Sequence, residues 1–192
     1  MEPPSCSIIV VDNFYKNAVE TRNYILTQEF SVKGNYPGQR TISYATEHLK
    51  EVIQNYVMPF GGLITDFPIP SEDQEKNIEM YNGSFQYTTS RDRSWVHIDG
   101  HNNWGGVVFM TPDAPLSAGT GFYTFHEKNP SKEDLGKYSQ DMTKWKLVDN
   151  VGNVFNRLVL FNSTRHHMSL DYFGTDKENG RLFQVFFFST ER

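Results

Sequence analysis

Short apolar runs rich in aromatic and β-branched residues, cut at close intervals by Gly, Pro, Asn and Asp, most constrain what this chain can fold into. Residues 8–11 (IIVV), 107–110 (VVFM), 159–161 (VLF) and 181–188 (RLFQVFFF) have this form. With 15 Phe, 10 Tyr and 3 Trp among 192 residues, the punctuation favours many short strands over a helical bundle.

Two segments depart from that pattern. Residues 14–29 read as a helix with Tyr15, Val19 and Leu26 on its inner side and Asp12 or Asn13 as cap. Leu49, Val52, Ile53, Tyr56 and Val57 fall at helical spacing behind Thr46, a suitable N-cap, and Pro59 is expected just past the end. This second helix should lay one face on a sheet and leave His48 exposed. Between the two, residues 30–41 read as a loop around Gly34, Pro37 and Gly38; its Arg40 could line a site, but solvation is the plainer expectation.

Beyond Pro59, strands are expected over 60–64, 78–87, a segment carrying His97, 107–111, 121–126, 157–161 and 181–189, with polar turns at 68–75, 88–94 and 112–119. Residues 127–154 turn polar and charged and read as an insertion with a short helix near Ser131, its Tyr138 and Trp145 holding a long loop down. No internal repeat or low-complexity tract occurs. Two helices followed by about eight short strands imply a mainly β fold with supporting helices, an antiparallel sandwich or jelly-roll barrel. A single domain over 1–192 is expected: an N-terminal strand and supporting helices over 1–59, then a barrel over 60–192 with its insertion at about 127–154.

A formal charge of −5 argues against a general nucleic-acid binder. Cys6 is the only cysteine, so no intrachain disulfide forms and a reducing, cytoplasmic setting is expected. The N-terminus lacks a basic region followed by a long apolar run, and no run approaches membrane-spanning length. Neither oligomeric state nor substrate is legible.

The chemistry concentrates in residues 94–110, SWVHIDGHNNWGGVVFM. On an extended chain the side-chain period is two, so His97 and Asp99 project from one face. Two His and one carboxylate form the facial triad of non-haem Fe(II) oxygenases, and a second His follows roughly 70 residues later in the pair His166-His167. Adjacent strand residues face opposite ways, so only one of that pair can enter a common site. Arg181 shares a strand face with Phe183, Val185 and Phe187. A guanidinium there calls for a counter-anion, such as a carboxylate, unless it sits at a solvated barrel mouth.

The ordered set His97-x-Asp99, His167 and Arg181 resembles the double-stranded β-helix (jelly-roll, cupin-like) family of Fe(II)- and 2-oxoglutarate-dependent oxygenases, particularly the small prolyl-hydroxylase-like group of bacteria and phages. Similar phrases span nearly the whole chain: VVDNFY, NYPGQR, GTGFY, RLVLFNSTRHH, DYFG and GRLFQVFFF. The resemblance implies a dioxygenase using Fe(II), O2 and 2-oxoglutarate. It would hydroxylate a C–H bond of a peptidyl proline or small metabolite, with release of succinate and CO2. It makes His97, Asp99 and His167 the metal ligands and Arg181 the anchor of the distal carboxylate of 2-oxoglutarate, with the Tyr87 hydroxyl beside it. Arg181 lies 14 residues beyond His167, farther than is usual in the family, and Lys177 is the nearer but weaker anchor. The rival reading is a non-catalytic cupin-like ligand-binding or structural barrel. Such a barrel could draw on His101, although a turn at Gly100 would rotate His101 out of line.

Overall fold

The computed structural model describes residues 5–71 and 80–191. Among these residues ten strands and three α-helices follow in the order β1 (Ile8–Val11), α1 (Ala18–Leu26), β2 (Gln39–Ser43), α2 (Glu47–Gly61), β3 (Leu63–Asp66), β4 (Ser84–Thr88), β5 (Trp104–Phe109), β6 (Thr120–Phe125), α3 (Lys132–Lys137), β7 (Trp145–Val151), β8 (Leu158–Asn162), β9 (His166–Ser169) and β10 (Arg181–Glu191). The larger sheet runs β1-β8-β5-β10-β4-β2, with β3 pairing the end of β10; the smaller runs β7-β6-β9. All pairings are antiparallel.

β10 explains the layering. Its run RLFQVFFF is apolar on both faces because both are covered. Leu182, Phe186 and Phe188 join Ile25 of α1 and Ile53 and Val57 of α2 in the larger core. Phe183 and Val185 turn the other way, toward Phe109, Phe122, Val159 and Phe161 between the sheets. Each fully buried Phe or Leu here contributes roughly 1.5–3 kcal/mol. Gln184, wholly buried on the helix side, is satisfied by donating to the Gly83 carbonyl and accepting from the Tyr15 hydroxyl.

α2 begins where expected, with the Thr46 hydroxyl accepting from the Leu49 N–H at 3.1 Å, and His48 is exposed. It runs past Pro59 to Gly61. Proline's fixed φ is helical and its missing N–H forfeits only one bond, so the stop falls at Gly62, whose φ is 88°. The expected 60–64 strand therefore starts later, at Leu63. α1 is shorter than its pattern: the Phe14 and Tyr15 N–H groups donate to the Asn156 backbone and side-chain oxygens at 3.0 and 2.8 Å, holding that segment out of the helix. Asn17 is its N-cap, and Val19 is 63% exposed while Ile25 is wholly buried.

Other boundaries shift for equally local reasons. Of the expected 78–87 strand, residues 78 and 79 lie outside the described residues, and β4 begins at Ser84 after Gly83 turns at φ 78°. β5 starts three residues before the expected 107 and crosses Gly105 and Gly106, where a Cβ would come within 2.8 Å of Phe161 and Leu160. Residues 127–154 do hold the helix at Ser131, closed by a capping box with Asp134. They also supply β7, an edge strand whose side chains are mostly exposed, which is why its apolar signal is weak. Trp145 packs with Val96 and Tyr123 in a small separate cluster. No helix among the described residues is long and apolar enough to cross a membrane.

The expected loop 30–41 ends in β2, which begins at Gln39. Gly38 sits at φ 76°, its N–H bonded to the Asp92 carboxylate at 3.1 Å, and an added Cβ would lie 2.0 Å from the Tyr87 carbonyl oxygen. Gly38→Ala should therefore destabilise the fold by more than about 1 kcal/mol, read as a lower urea midpoint at unchanged m-value. An unchanged midpoint would contradict this packing.

Candidate metal centre

His97 and His167 form an isolated antiparallel bridge in which each backbone N–H donates to the other's carbonyl, at 3.1 and 2.9 Å. Directly paired residues present their side chains on the same face, so the two imidazoles meet, with ring centroids 4.5 Å apart. His97 lies in an extended segment short of a regular strand, and Asp99 follows two residues on with its N–H donating to the Ser163 carbonyl at 3.1 Å. The Asp99 carboxylate reaches to 3.8 Å from His97 Nε2 and 3.4 Å from His167 Nε2. Gly105 keeps that space open, since a Cβ there would stand 2.8 Å from Asp99 Oδ2.

The hydrogen bonds set the tautomers. His97 Nδ1 lies 2.9 Å from the Trp95 carbonyl and His167 Nδ1 lies 2.8 Å from the Arg165 carbonyl. A carbonyl only accepts, so each Nδ1 carries a proton, and Nε2, on the side facing Asp99, is the ring atom available to ligate. Three ligand atoms, one from each residue, within 4.8 Å of one another fit a cation. Donors on adjacent corners of an octahedron, at ~2.1 Å from a metal, stand about 3 Å apart, so the group needs only a small contraction to close on one.

His166 points away from this group, its ring 5.0 Å from that of Trp145. His101 is exposed, and among the described residues the only metal-competent cluster is His97, Asp99 and His167.

The three donors open into a cavity between the sheets lined also by Tyr36, Arg40, Gln86, Phe161, Arg181 and Phe183. Arg181 is 1% exposed; its Nε donates to the Ala118 carbonyl at 2.9 Å, Nη2 lies 3.4 Å from the Gly119 carbonyl, and Nη1 is buried without a partner. Burial lowers its pKa to about 10, which leaves it cationic at neutral pH. Two further buried, unpartnered oxygens belong to Thr88, its cross-strand neighbour, and to Tyr172, which interacts electrostatically with it. Tyr87 is not brought to the site. The alternation of β4 sends it to the opposite face, edge-on to Phe30 at 5.1 Å. Lys177 is occupied elsewhere, donating to the Leu26 carbonyl at 2.7 Å.

Sequence reasoning missed Arg40, which is 6% exposed and not solvated. A register shift between Arg40 and Ser43 turns both Arg40 and Thr41 inward, where strict alternation would separate them. The available signal was the turn Pro37-Gly38 directly ahead of a β-branched run, which starts the strand before Arg40.

Burial holds the His167 pKa down to about 4, with Asp99 acting against the shift. An unfolded His titrates near 6.5. Between those values the unfolded chain binds the extra proton, so the contribution is present above about 6.5 and fades as pH falls toward about 4. In chelator, the metal-free protein should lose about 2 kcal/mol more stability than His167→Asn between pH 7 and pH 5. Parallel pH profiles of their urea midpoints would contradict the burial.

No protein-family model and no curated protein matches the sequence. Solved structures do match its shape. HygX from Streptomyces hygroscopicus, with nickel, 2-oxoglutarate and hygromycin B bound, aligns with a TM-score of 0.63 at 11% identity, over 94% of this chain and 82% of that one. The non-heme α-ketoglutarate-dependent epimerase SnoN from nogalamycin biosynthesis gives 0.55 at 13% identity, over 93% and 77%. A prolyl hydroxylase from Trichoplax adhaerens, in complex with a hypoxia inducible factor peptide fragment, gives 0.54 at 12% identity, over 95% and 83%. The chain thus has the double-stranded β-helix fold of the Fe(II)- and 2-oxoglutarate-dependent oxygenases.

Proposed function

We propose that the protein is an Fe(II)- and 2-oxoglutarate-dependent dioxygenase that hydroxylates a C–H bond of a small metabolite or peptidyl substrate such as a prolyl residue. His97, Asp99 and His167 are the metal ligands and Arg181 anchors the distal carboxylate of 2-oxoglutarate. The observation that carries the reading is the convergence of two imidazole Nε2 atoms and a carboxylate beside a buried guanidinium whose Nη1 has no partner.

When bound, the metal and cosubstrate supply oxygen activation coupled to the loss of CO2 from 2-oxoglutarate and formation of succinate. The chain's own residues prepare for it. The Trp95 and Arg165 carbonyls hold each imidazole in the ligating tautomer. The His97 and His167 imidazoles and the Asp99 carboxylate would hold the metal from one side, leaving its open side to the cosubstrate. Phe161, with its ring 4.5 Å from that of His167, backs the centre with apolar surface and keeps water from that side. Arg181 offers a fork from a dry wall. In place of Tyr87, the Thr88 and Tyr172 hydroxyls are the free groups available beside it.

Anaerobic calorimetry separates these roles. Ala at His97, Asp99 or His167 should each weaken Fe(II) binding by more than about 10-fold, whereas His166→Ala should bind as wild type does. Arg181→Gln should keep the metal and weaken 2-oxoglutarate roughly 10- to 150-fold, the value of hydrogen bonds to a charged group. Metal binding that survives loss of His167 but not of His166, or cosubstrate binding indifferent to Arg181, would overturn the assignment.

A further inference from the structure

A second buried cation faces the same cavity, and nothing assigned above uses it. Arg40 on β2 lies with its guanidinium carbon 3.7 Å from the ring centroid of Tyr36 and 5.1 Å from that of Tyr81. Its Nε and Nη2 both donate to Gln86 Oε1, at 2.9 and 2.5 Å. Gln86 is itself fixed in that orientation because its Nε2 donates to the Pro37 carbonyl at 2.6 Å. Tyr36 is tied by its hydroxyl to the Val32 carbonyl at 2.6 Å. The guanidinium is therefore held rigidly by two aromatic rings and one neutral amide. Its Nη1 makes no hydrogen bond to the described residues, and among those residues no carboxylate lies within ion-pair distance. Asp99 is the one carboxylate among the described residues that acts on it electrostatically, and that group faces the two imidazoles, so a cation at 6% exposure is costly unless a further anion joins it.

Counting charges around the cavity shows what kind of anion is missing. Among the described residues, the charged side chains lining it are Arg40, Arg181 and Asp99. Two cations, one carboxylate and a divalent metal leave three positive charges, and the two carboxylates of 2-oxoglutarate offset two of them. One positive charge remains. Position separates the two arginines as well. Arg40 pairs with Gln86, Gln86 pairs with Phe183, and Arg181 stands two residues from Phe183 along β10. Two strand spacings across and two residues along place the backbones about 12 Å apart. Each guanidinium is tied on its own side, Arg40 to Gln86 and Arg181 to the Ala118 and Gly119 carbonyls, so the single distal carboxylate of a cosubstrate held on the metal is assigned to Arg181 alone.

We infer that Arg40, clamped by Tyr36, Tyr81 and Gln86, is a substrate-recognition residue that pairs with a carboxylate of the substrate. The substrate class is then a small carboxylic acid, such as a free or N-acylated amino acid, with its reacting C–H bond between that carboxylate and the metal. This rests on the oxygenase reading for the charge count. Arg40 fixes orientation: an ion pair at one end of a small molecule limits which carbon comes to the metal.

The test uses protein loaded with Zn(II) and saturated with 2-oxoglutarate, so that the Arg181 side is filled. Matched carboxylates and carboxamides are titrated by calorimetry: L-proline against L-prolinamide, N-acetylglycine against its amide, benzoate against benzamide. At least one carboxylate should bind more than 10-fold tighter than its amide. Arg40→Gln should erase that preference while 2-oxoglutarate affinity stays within about twofold. Arg40→Lys, which keeps the charge without the fork, should retain part of it and carries the test if Arg40→Gln fails to fold. The absence of any Arg40-dependent preference for a carboxylate overturns the inference, as does loss of 2-oxoglutarate binding in Arg40→Gln, which would make Arg40 the cosubstrate anchor. The same pairs titrated without metal and cosubstrate report on Arg40 alone. Failure of the oxygenase reading shows separately, as a wild type that binds no 2-oxoglutarate.

Discussion

The reciprocal backbone bridge between His97 and His167 is the constraint on which the site depends. It joins an irregular segment after β4 to β9 of the smaller sheet, and by pairing the two residues directly it obliges their side chains to share one face. Asp99 follows by the period of an extended chain, and its own N–H is tied to Ser163, next to the end of β8. Backbone bonds thus bring three donors together before any metal arrives. The glycines of β5 complete the arrangement, because Gly105 leaves the room that the Asp99 carboxylate fills.

Much of this was readable in residue order, and the misses have physical causes. His97 and Asp99 two apart, the later His pair and Arg181 on the inward face of β10 follow from the period of an extended chain alone. The choice between His166 and His167 does not: it turns on which residue bonds His97, a long-range register that composition cannot reveal. Tyr87 was misplaced because its role came from likeness, whereas its parity on β4 already set it opposite Gln86 and Thr88. Arg40 was read as solvated because its segment was taken for a loop, whereas β2 begins at Gln39 and pairs Arg40 with the inward-facing Gln86. β7 escaped notice as an exposed edge strand, and α1 was overextended because Asn156, far along the chain, captures Phe14 and Tyr15.

On the proposed reading, the two arginines divide two tasks. Arg181 lies at the start of β10, where carbonyls of the turn before β6 hold part of its fork and leave Nη1 free. Arg40 comes from the edge strand β2, two strands from β10 in the same sheet, and is held by aromatic rings and an amide. Both have their pKa lowered by burial to about 10 and both stay charged at neutral pH. On the proposed reading, a cavity with two fixed cations two strands apart and a metal-competent cluster beside them suits a reaction in which two anionic molecules must be held apart and oriented.

The central claim is that this cluster chelates 2-oxoglutarate on Fe(II), and visible absorption of the anaerobic protein tests it most directly. Addition of Fe(II) and 2-oxoglutarate together should produce a metal-to-ligand charge-transfer band that neither produces alone and that titrates to one equivalent. Iron bound at that site with no such band at saturating 2-oxoglutarate would contradict the account and leave a metal-binding barrel in place of an oxygenase.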